Sequence, residues 1–218
     1  MASFEGNVSI AGALSAGSMT ISSNAVATAA IQDSAVTRAK CIQEALAVFP
    51  VPLGSLRVWD AFATVLPASS ATDDLSLVGG TFATNSPSIQ TLDSKAATTT
   101  QYARFLLPIP QNYDAAESLQ LRLKCGMITT VAGTSATVDI QAYESGKDRT
   151  ISADLCATSA QSINSLTYAN KTFDITATDL IAGDVLDVRV TIAIVDAATG
   201  TAVIGCIGGI DLLCDVRG

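Results

Sequence analysis

The sequence has no histidine among its 218 residues and only one tryptophan. Ser-His-Asp and Cys-His nucleophile relays need an imidazole, and so do histidine-ligated zinc and haem sites. These sites are therefore excluded, and with them most common hydrolase mechanisms. One tryptophan and four tyrosines also offer few platforms on which a sugar-cleaving enzyme could stack its substrate.

Positive charge is scarce as well, because 12 Lys and Arg face 20 Asp and Glu, which gives a net charge of −8. Proteins hold nucleic acid mainly by neutralising phosphates with Lys and Arg, so this balance argues against a nucleic-acid partner. No apolar run approaches the roughly 20 residues of a membrane-spanning helix. Glu5 stands where a signal peptide carries Lys or Arg. We therefore expect a soluble protein, made in a cytoplasm, with no membrane partner.

The cysteines are odd in number, widely spaced and without a C-x-x-C pair. This pattern indicates neither a disulfide framework nor a thiolate zinc site. We interpret them as buried free thiols, with a disulfide formed after release from the cell as the alternative. They are Cys41, Cys125, Cys156, Cys206 and Cys214. The alternation in the last predicted strand places Cys206 and Cys214 on the same apolar face as Ile210 and Leu212.

Motifs for nucleophilic catalysis and phosphate binding are missing. The sequence has no G-x-S-x-G elbow and no S-x-x-K, and Gly146-Lys147 is followed by Asp148 where a P-loop needs Ser or Thr. Trp59 is interpreted as core or interface packing, with a binding pocket as the alternative. Matches to the N-glycosylation pattern at Asn7 and Asn170 are treated as chance, since no secretory signal accompanies them.

Acidic residues are the remaining candidates for chemistry. A glycosidase would need two opposed carboxyls at a sugar-binding cleft, and calcium would favour a D-x-[DN]-x-[DN]-G loop, which the sequence lacks. We interpret these acids as solvated turn residues, and we predict no catalytic, cofactor-binding or metal-binding residue, no cofactor and no enzyme activity. The acids are Asp73, Asp74, Asp174, Asp179, Asp184 and Asp187.

Residues 1–48 differ in pattern from residues 49–218. Short β-prone pieces at 8–10 and 19–21 are followed by an alanine-rich stretch at 24–46 that fits one or two short amphipathic helices. Such short strands bury too little apolar surface to form a core alone. We predict an extended N-terminal arm that serves attachment or oligomerisation and ends at a hinge formed by Pro50 and Pro52.

Period-two alternation of apolar residues dominates residues 49–218, which is typical of half-buried strands. The turn at 133–135 should join two strands as a hairpin, and the turn at 196–200 should form a second hairpin. Residues 152–169 indicate a polar loop or a short helix. The pattern predicts an all-β, antiparallel, jelly-roll-like sandwich. Its strands are predicted over 56–66, 75–77, 103–109 at a sheet edge, 119–127, 138–142, 173–175, 186–194 and 204–216. Core positions include Leu121, Leu123, Val188, Val190, Ile192 and Leu212.

Three stretches of the chain resemble tailed-bacteriophage virion proteins. The opening GNVSIAGALSAGSMTISSNAVATAAI resembles their N-terminal segments, where Gly-punctuated strands and an alanine-rich stretch precede a β domain. The stretches YARFLLPIPQNYDAAESLQLRLKC and TFDITATDLIAGDVLDVRV resemble the jelly-roll domain of phage head decoration proteins and fibres. The resemblance brings no catalytic or binding residue with it.

The resemblance implies a virion structural protein. The favoured form is a capsid decoration (cement) protein on the outer surface of the head, a homo-oligomer, typically a trimer, that binds the major capsid protein. The first alternative is a receptor-binding tail fibre or spike, whose loops, such as 152–169, would meet a host glycan or protein. A carbohydrate-active enzyme is the least favoured alternative, because histidine and aromatic subsites are lacking.

Overall fold

The structure, a computed structural model, describes residues 46–115, 117–145, 149–197 and 200–216. A short 3-10 turn, Leu53–Ser55, follows the first strand. The strands are β1 (Ala47–Val51), β2 (Ser76–Val78), β3 (Ser88–Gln90), β4 (Thr98–Pro108), β5 (Leu119–Ile128), β6 (Ser135–Ser145), β7 (Gln161–Ser162), β8 (Ala169–Asp174), β9 (Val185–Val195) and β10 (Ile204–Cys214).

These strands form two antiparallel sheets. Sheet A has the order β2-β3-β10-β5-β8, with β1 also paired to β10, and sheet B has the order β4-β9-β6-β7. Inward side chains of both sheets share one apolar core, which confirms the predicted all-β sandwich. The predicted position of residues 103–109 at a sheet edge is also confirmed, since β4 ends sheet B. The six predicted core residues, Leu121, Leu123, Val188, Val190, Ile192 and Leu212, are fully buried.

Both predicted hairpins are wrong, because each turn joins strands of different sheets. β5 belongs to sheet A and β6 to sheet B, so the turn at 133–135 carries the chain across the core. The same holds for β9 in sheet B and β10 in sheet A. Apolar residues at every second position show which face of a strand lies inward, but they do not show which strand pairs with it. Two strands that face each other across the core therefore have the same pattern as two strands of a hairpin.

The strand predicted over 56–66 is also wrong. This segment forms a loop with isolated bridges from Arg57 to Val65 and from Arg57 to Arg104. Its alternating residues Leu56, Val58 and Leu66 are nevertheless buried. The apolar spacing therefore anchors a loop to the core where a strand was expected.

Pro50 lies inside β1, opposite Asp211 of β10, so it does not act as a hinge. β1 is an outer strand of sheet A, where a missing N–H need not interrupt a ladder. The sandwich thus begins at Ala47, inside the segment assigned to the arm. The predictions for residues 1–45, with the arm strands at 8–10 and 19–21, the helices, Cys41 and Asn7, lie outside the described residues. Within those residues, no helix has the length and apolar character needed to cross a membrane.

A bulge in β10 changes which residues face the core. The ladder with β5 shifts between Ile207 and Gly209, and a Cβ on Gly205 would meet Ile192 of sheet B. Gly205 therefore faces inward and Cys206 faces outward, next to Tyr168. We predicted Cys206 on the face of Ile210 and Leu212, and that was wrong because the bulge reverses the parity.

The described cysteines are not paired with one another, and three of them are buried, which confirms the predicted burial for those three. Burial raises the pKa of the Cys125 thiol to about 12, so this thiol is protonated at neutral pH and unreactive as a nucleophile. Cys156 is half-buried, and burial raises the pKa of its thiol too. The four described thiols are Cys125, Cys156, Cys206 and Cys214.

Candidate functional site

Polar and aromatic side chains collect on the outer face of sheet B. Arg104 of β4 stands opposite Arg189 of β9, which in turn stands opposite Gln141 of β6. Because side chains alternate across a strand, the residues two positions away share this outer face. They include Tyr102 on β4, Asp187 on β9 and Tyr143 on β6.

The loop that follows β1 forms one wall above this face. The bridge between Arg57 and Arg104 ties the loop to β4, and the loop places Trp59 against Tyr102 with ring centroids 5.0 Å apart and the ring planes tilted by 48°. The indole Nε1 of Trp59 donates a hydrogen bond to Asp73 Oδ2 at 3.2 Å. The hydrogen bond to Asp73 and the contact with the Tyr102 ring thus fix the position of the indole.

Arg189 packs against two neighbouring aromatic rings. Its Cζ lies 5.0 Å from the Tyr102 ring centroid and 5.6 Å from the Trp59 ring centroid. Its Nη2 also donates a hydrogen bond to Gln141 Oε1. Each cation–π contact contributes about 0.5 to 1 kcal/mol at an exposed site, and together the contacts fix the position of the guanidinium.

Arg104 and Asp187 form a bidentate ion pair. Arg104 Nε donates to Asp187 Oδ1 at 2.7 Å, and Nη2 donates to Oδ2. The hydrogen bond to Asp187 raises the pKa of Arg104. The Arg104 guanidinium also lies over the Phe62 ring, with Cζ 5.2 Å from its centroid. Two parallel hydrogen bonds give this pair a defined geometry.

These groups enclose a cleft of about 290 Å³, which we call the sheet B cleft. Its volume is near the lower end of the range for small-molecule sites, about 300 Å³. Two arginines and two aspartates contribute opposite charges in equal number. The lining residues are Trp59, Asp60, Arg104, Tyr143, Ile151, Asp187 and Arg189.

The structure separates the acidic residues that the sequence singled out. Asp174 accepts a hydrogen bond from Gln120 Nε2 at 2.7 Å. Asp184 accepts one from the Ile181 amide in the turn before β9, and Asp179 is exposed. The interpretation of Asp187 as a solvated turn acid was wrong. This residue lies on strand β9, is only 7% exposed and forms an ion pair with Arg104.

The pair Asp73 and Asp74 lies beside the loop that carries Trp59. Asp73 binds the indole, whereas Asp74 Oδ1 is buried without a hydrogen-bond partner. Burial raises the pKa of Asp74, and the charges of Asp73 and Asp60 raise it further. Within the described ranges, no three His, Cys, Asp or Glu side chains are placed to hold a metal ion. The turn 146–148 lies outside those ranges.

Trp59 is half-buried in the cleft wall, which agrees with a binding pocket, the alternative to core or interface packing. The cleft itself was missed, because its residues come from separate segments of the chain. A signal was present in the outward positions of three correctly predicted strands. Those positions carry Tyr102 and Arg104, Gln141, and Asp187 with Arg189.

A second concave surface lies between β1 and β4, and we call it the β1–β4 groove. Within the sheets, β1 pairs only with β10 and β4 only with β9 among the described strands. The groove has a volume of about 420 Å³ and a predominantly apolar lining. It is lined by Phe49, Pro50, Val51, Pro52, Ser55, Leu106, Leu107, Pro108, Pro110 and Leu212.

No family model matches the sequence, and no curated protein matches it. Among solved structures, the chain is similar to a "xylan-binding module CBM15" at a TM-score of 0.42 and 14% identity, over 79% of this chain and 99% of that one. It is similar to a "Xylan-Binding Domain from CBM 22" at a TM-score of 0.40 and 11% identity, over 81% of this chain and 99% of that one. It is also similar to a "Family 16 Carbohydrate Binding Module-2" at a TM-score of 0.39 and 13% identity, over 67% of this chain and 88% of that one. The likeness to these carbohydrate-binding modules concerns the arrangement of strands.

Proposed function

We propose that this chain is a structural protein of a tailed-phage virion, and specifically a capsid decoration (cement) protein that binds the outer shell of the head. It acts by adding contact area between subunits and carries out no catalysis. The major capsid protein is its partner, and its place is the outer capsid surface. The proposal starts from the resemblance of residues 6–31, 102–125 and 172–190 to phage virion proteins.

The β1–β4 groove is the structural observation that supports this proposal. Apolar side chains line it, and Leu106 beside it is 45% exposed. Apolar surface at the edges of two sheets is typical of a protein-binding surface. A second copy of this chain is the occupant we propose, because the resemblance implies a homo-oligomer and the groove presents apolar side chains at the outer strands of both sheets.

Substitution in the groove tests this assignment. Leu106→Gln should shift a trimer toward monomer, because it replaces apolar contact area with an amide that the neighbouring subunit leaves unpaired. Leu166→Gln is the matched control, since Leu166 is 57% exposed and lies outside the groove. Size-exclusion chromatography with light scattering measures the mass of each variant. An unchanged trimer for Leu106→Gln, or equal dissociation of both variants, would place the interface elsewhere.

A receptor-binding tail fibre or spike is the second candidate, and the sheet B cleft is the observation that favours it. A preformed cleft with aromatic walls is a feature of ligand sites, whereas a cement protein needs only contact area.

Cryo-electron microscopy of the virion distinguishes the two locations. We expect density that fits the sandwich at many equivalent positions across the head, since a cement protein follows the symmetry of the shell. Density at the tail alone would reject the cement role and favour the fibre.

A further inference from the structure

We propose that the sheet B cleft binds a neutral saccharide chain. This inference goes beyond the cement function, because stabilising a shell requires no small ligand, and it holds for either location on the virion. It depends on three properties of the cleft: a fixed aromatic wall, planar polar groups in defined geometry, and balanced charge.

The aromatic wall suits the apolar C–H face of a sugar ring. Trp59 and Tyr143 both line the cleft and are partly exposed. The Trp59 indole is already fixed by Tyr102, by Arg189 and by its hydrogen bond to Asp73. Because these contacts order the ring before any ligand arrives, binding loses little side-chain entropy there.

The polar groups suit the neighbouring hydroxyls of a sugar. Arg104 uses Nε and Nη2 on Asp187, which leaves Nη1 as the nitrogen for a ligand oxygen. Asp60 is exposed at the cleft and supplies carboxylate oxygens that accept from hydroxyls. Both donors and acceptors of hydrogen bonds therefore line the cleft, and sugar hydroxyls need both.

The charge of the cleft favours a neutral ligand. The arginines at 104 and 189 are balanced by Asp60 and Asp187, so a phosphate or another polyanion finds no excess positive charge. The chain as a whole carries −8, which repels anions at long range. A neutral polyhydroxyl compound meets neither obstacle.

The dimensions of the cleft suit a short stretch of such a chain. Its polar floor spans β4, β9 and β6, and neighbouring strands lie about 4.8 Å apart, so the floor is roughly 10 Å wide. The cleft is open at the surface, and Ile151 at its rim is 58% exposed. A longer oligosaccharide can therefore extend beyond the enclosed part.

Calorimetry on the full chain tests the inference. The probes are the hexasaccharides of cellulose, xylan, starch and chitin, with sialyllactose as the acidic comparison. We expect at least one neutral probe to bind, and Trp59→Ala to weaken that binding by about tenfold or more through loss of a stacked aromatic contact. Tyr143→Ala should weaken it as well, and it is informative even if Trp59→Ala fails to fold.

Phe82→Ala is the control, because Phe82 is fully exposed and lies outside the cleft. It should leave the affinity unchanged. Binding of none of the neutral probes, binding of sialyllactose alone, or equal affinity in the cleft and control variants would overturn the inference. These outcomes concern the isolated protein, so they leave the location and stabilising effect on the particle as separate measurements.

Discussion

Leu123→Asp should abolish folding of the sandwich. Leu123 is fully buried in β5, where its partners are Ile210 of β10 and Lys171 of β8 in the ladders on either side. The substitution removes apolar contacts and places a carboxylate in the core between the sheets. Burying the carboxylate costs several kcal/mol or more, and the charge of Lys171 on the same face offsets only part of that cost, against a total stability of about 5 to 15 kcal/mol for a typical domain.

Arg122→Ala is the matched control, since it changes the next residue on the opposite face of the same strand. Arg122 forms an ion pair with Asp211 at 2.9 Å, and both side chains are 30% exposed. A partly exposed surface pair of this kind contributes about 0 to 1 kcal/mol. Urea unfolding followed by circular dichroism measures both variants. Comparable losses in the free energy of unfolding for the two variants would show that the Arg122 face is not exposed to solvent and is instead buried against a neighbouring subunit.

Deleting residues 1–46 should leave a folded sandwich that no longer assembles or binds shells. The cut lies just before β1 at Ala47 and keeps the strands of both sheets. The two arm strands predicted at 8–10 and 19–21 are short, and ordering their backbone costs about 1 to 2 kcal/mol per residue. We therefore expect the arm to find its apolar contacts on other chains, so its removal takes away the attachment surface.

Two measurements check the deletion. Circular dichroism should show a cooperative melt for the shortened chain, and sedimentation with particles that lack the protein should show no binding. The full-length chain, purified in the same way, is the control for binding. A shortened chain that still trimerises and decorates particles at the level of the full-length chain would show that the arm is not the attachment element.

The faces of the strands were predictable from the sequence, whereas their neighbours were not. In β5, Leu121 and Leu123 face the core and Arg122 faces outward, as the alternation requires. The same alternation in β6 led to a hairpin, although β6 lies in the other sheet. The short strands β3 and β7 could not be predicted from apolar alternation, because they have only three and two residues. Their pairing depends on tertiary contacts.

The residues of the sheet B cleft could be assigned to the outer faces of strands from the sequence, but their assembly into one site could not. The outward position of Arg104 and Arg189 follows from strand alternation, but their closeness depends on β4 lying beside β9, which the local pattern does not specify. Trp59 was assigned to a strand, and its place in the cleft wall depends on the bridge between Arg57 and Arg104. Side chains brought together by non-local pairing are thus identified only once the sheet order is known.

Heat-triggered DNA release from phage particles tests the cement role most directly. A subunit that binds only the assembled shell stabilises it by mass action, and the effect sums over many copies. Particles stripped of this protein should release DNA at a lower temperature than intact particles, and adding back the purified full-length chain should restore the original temperature. An unchanged release temperature after stripping, together with loss of adsorption to host cells, would contradict the cement role and support the receptor-binding fibre.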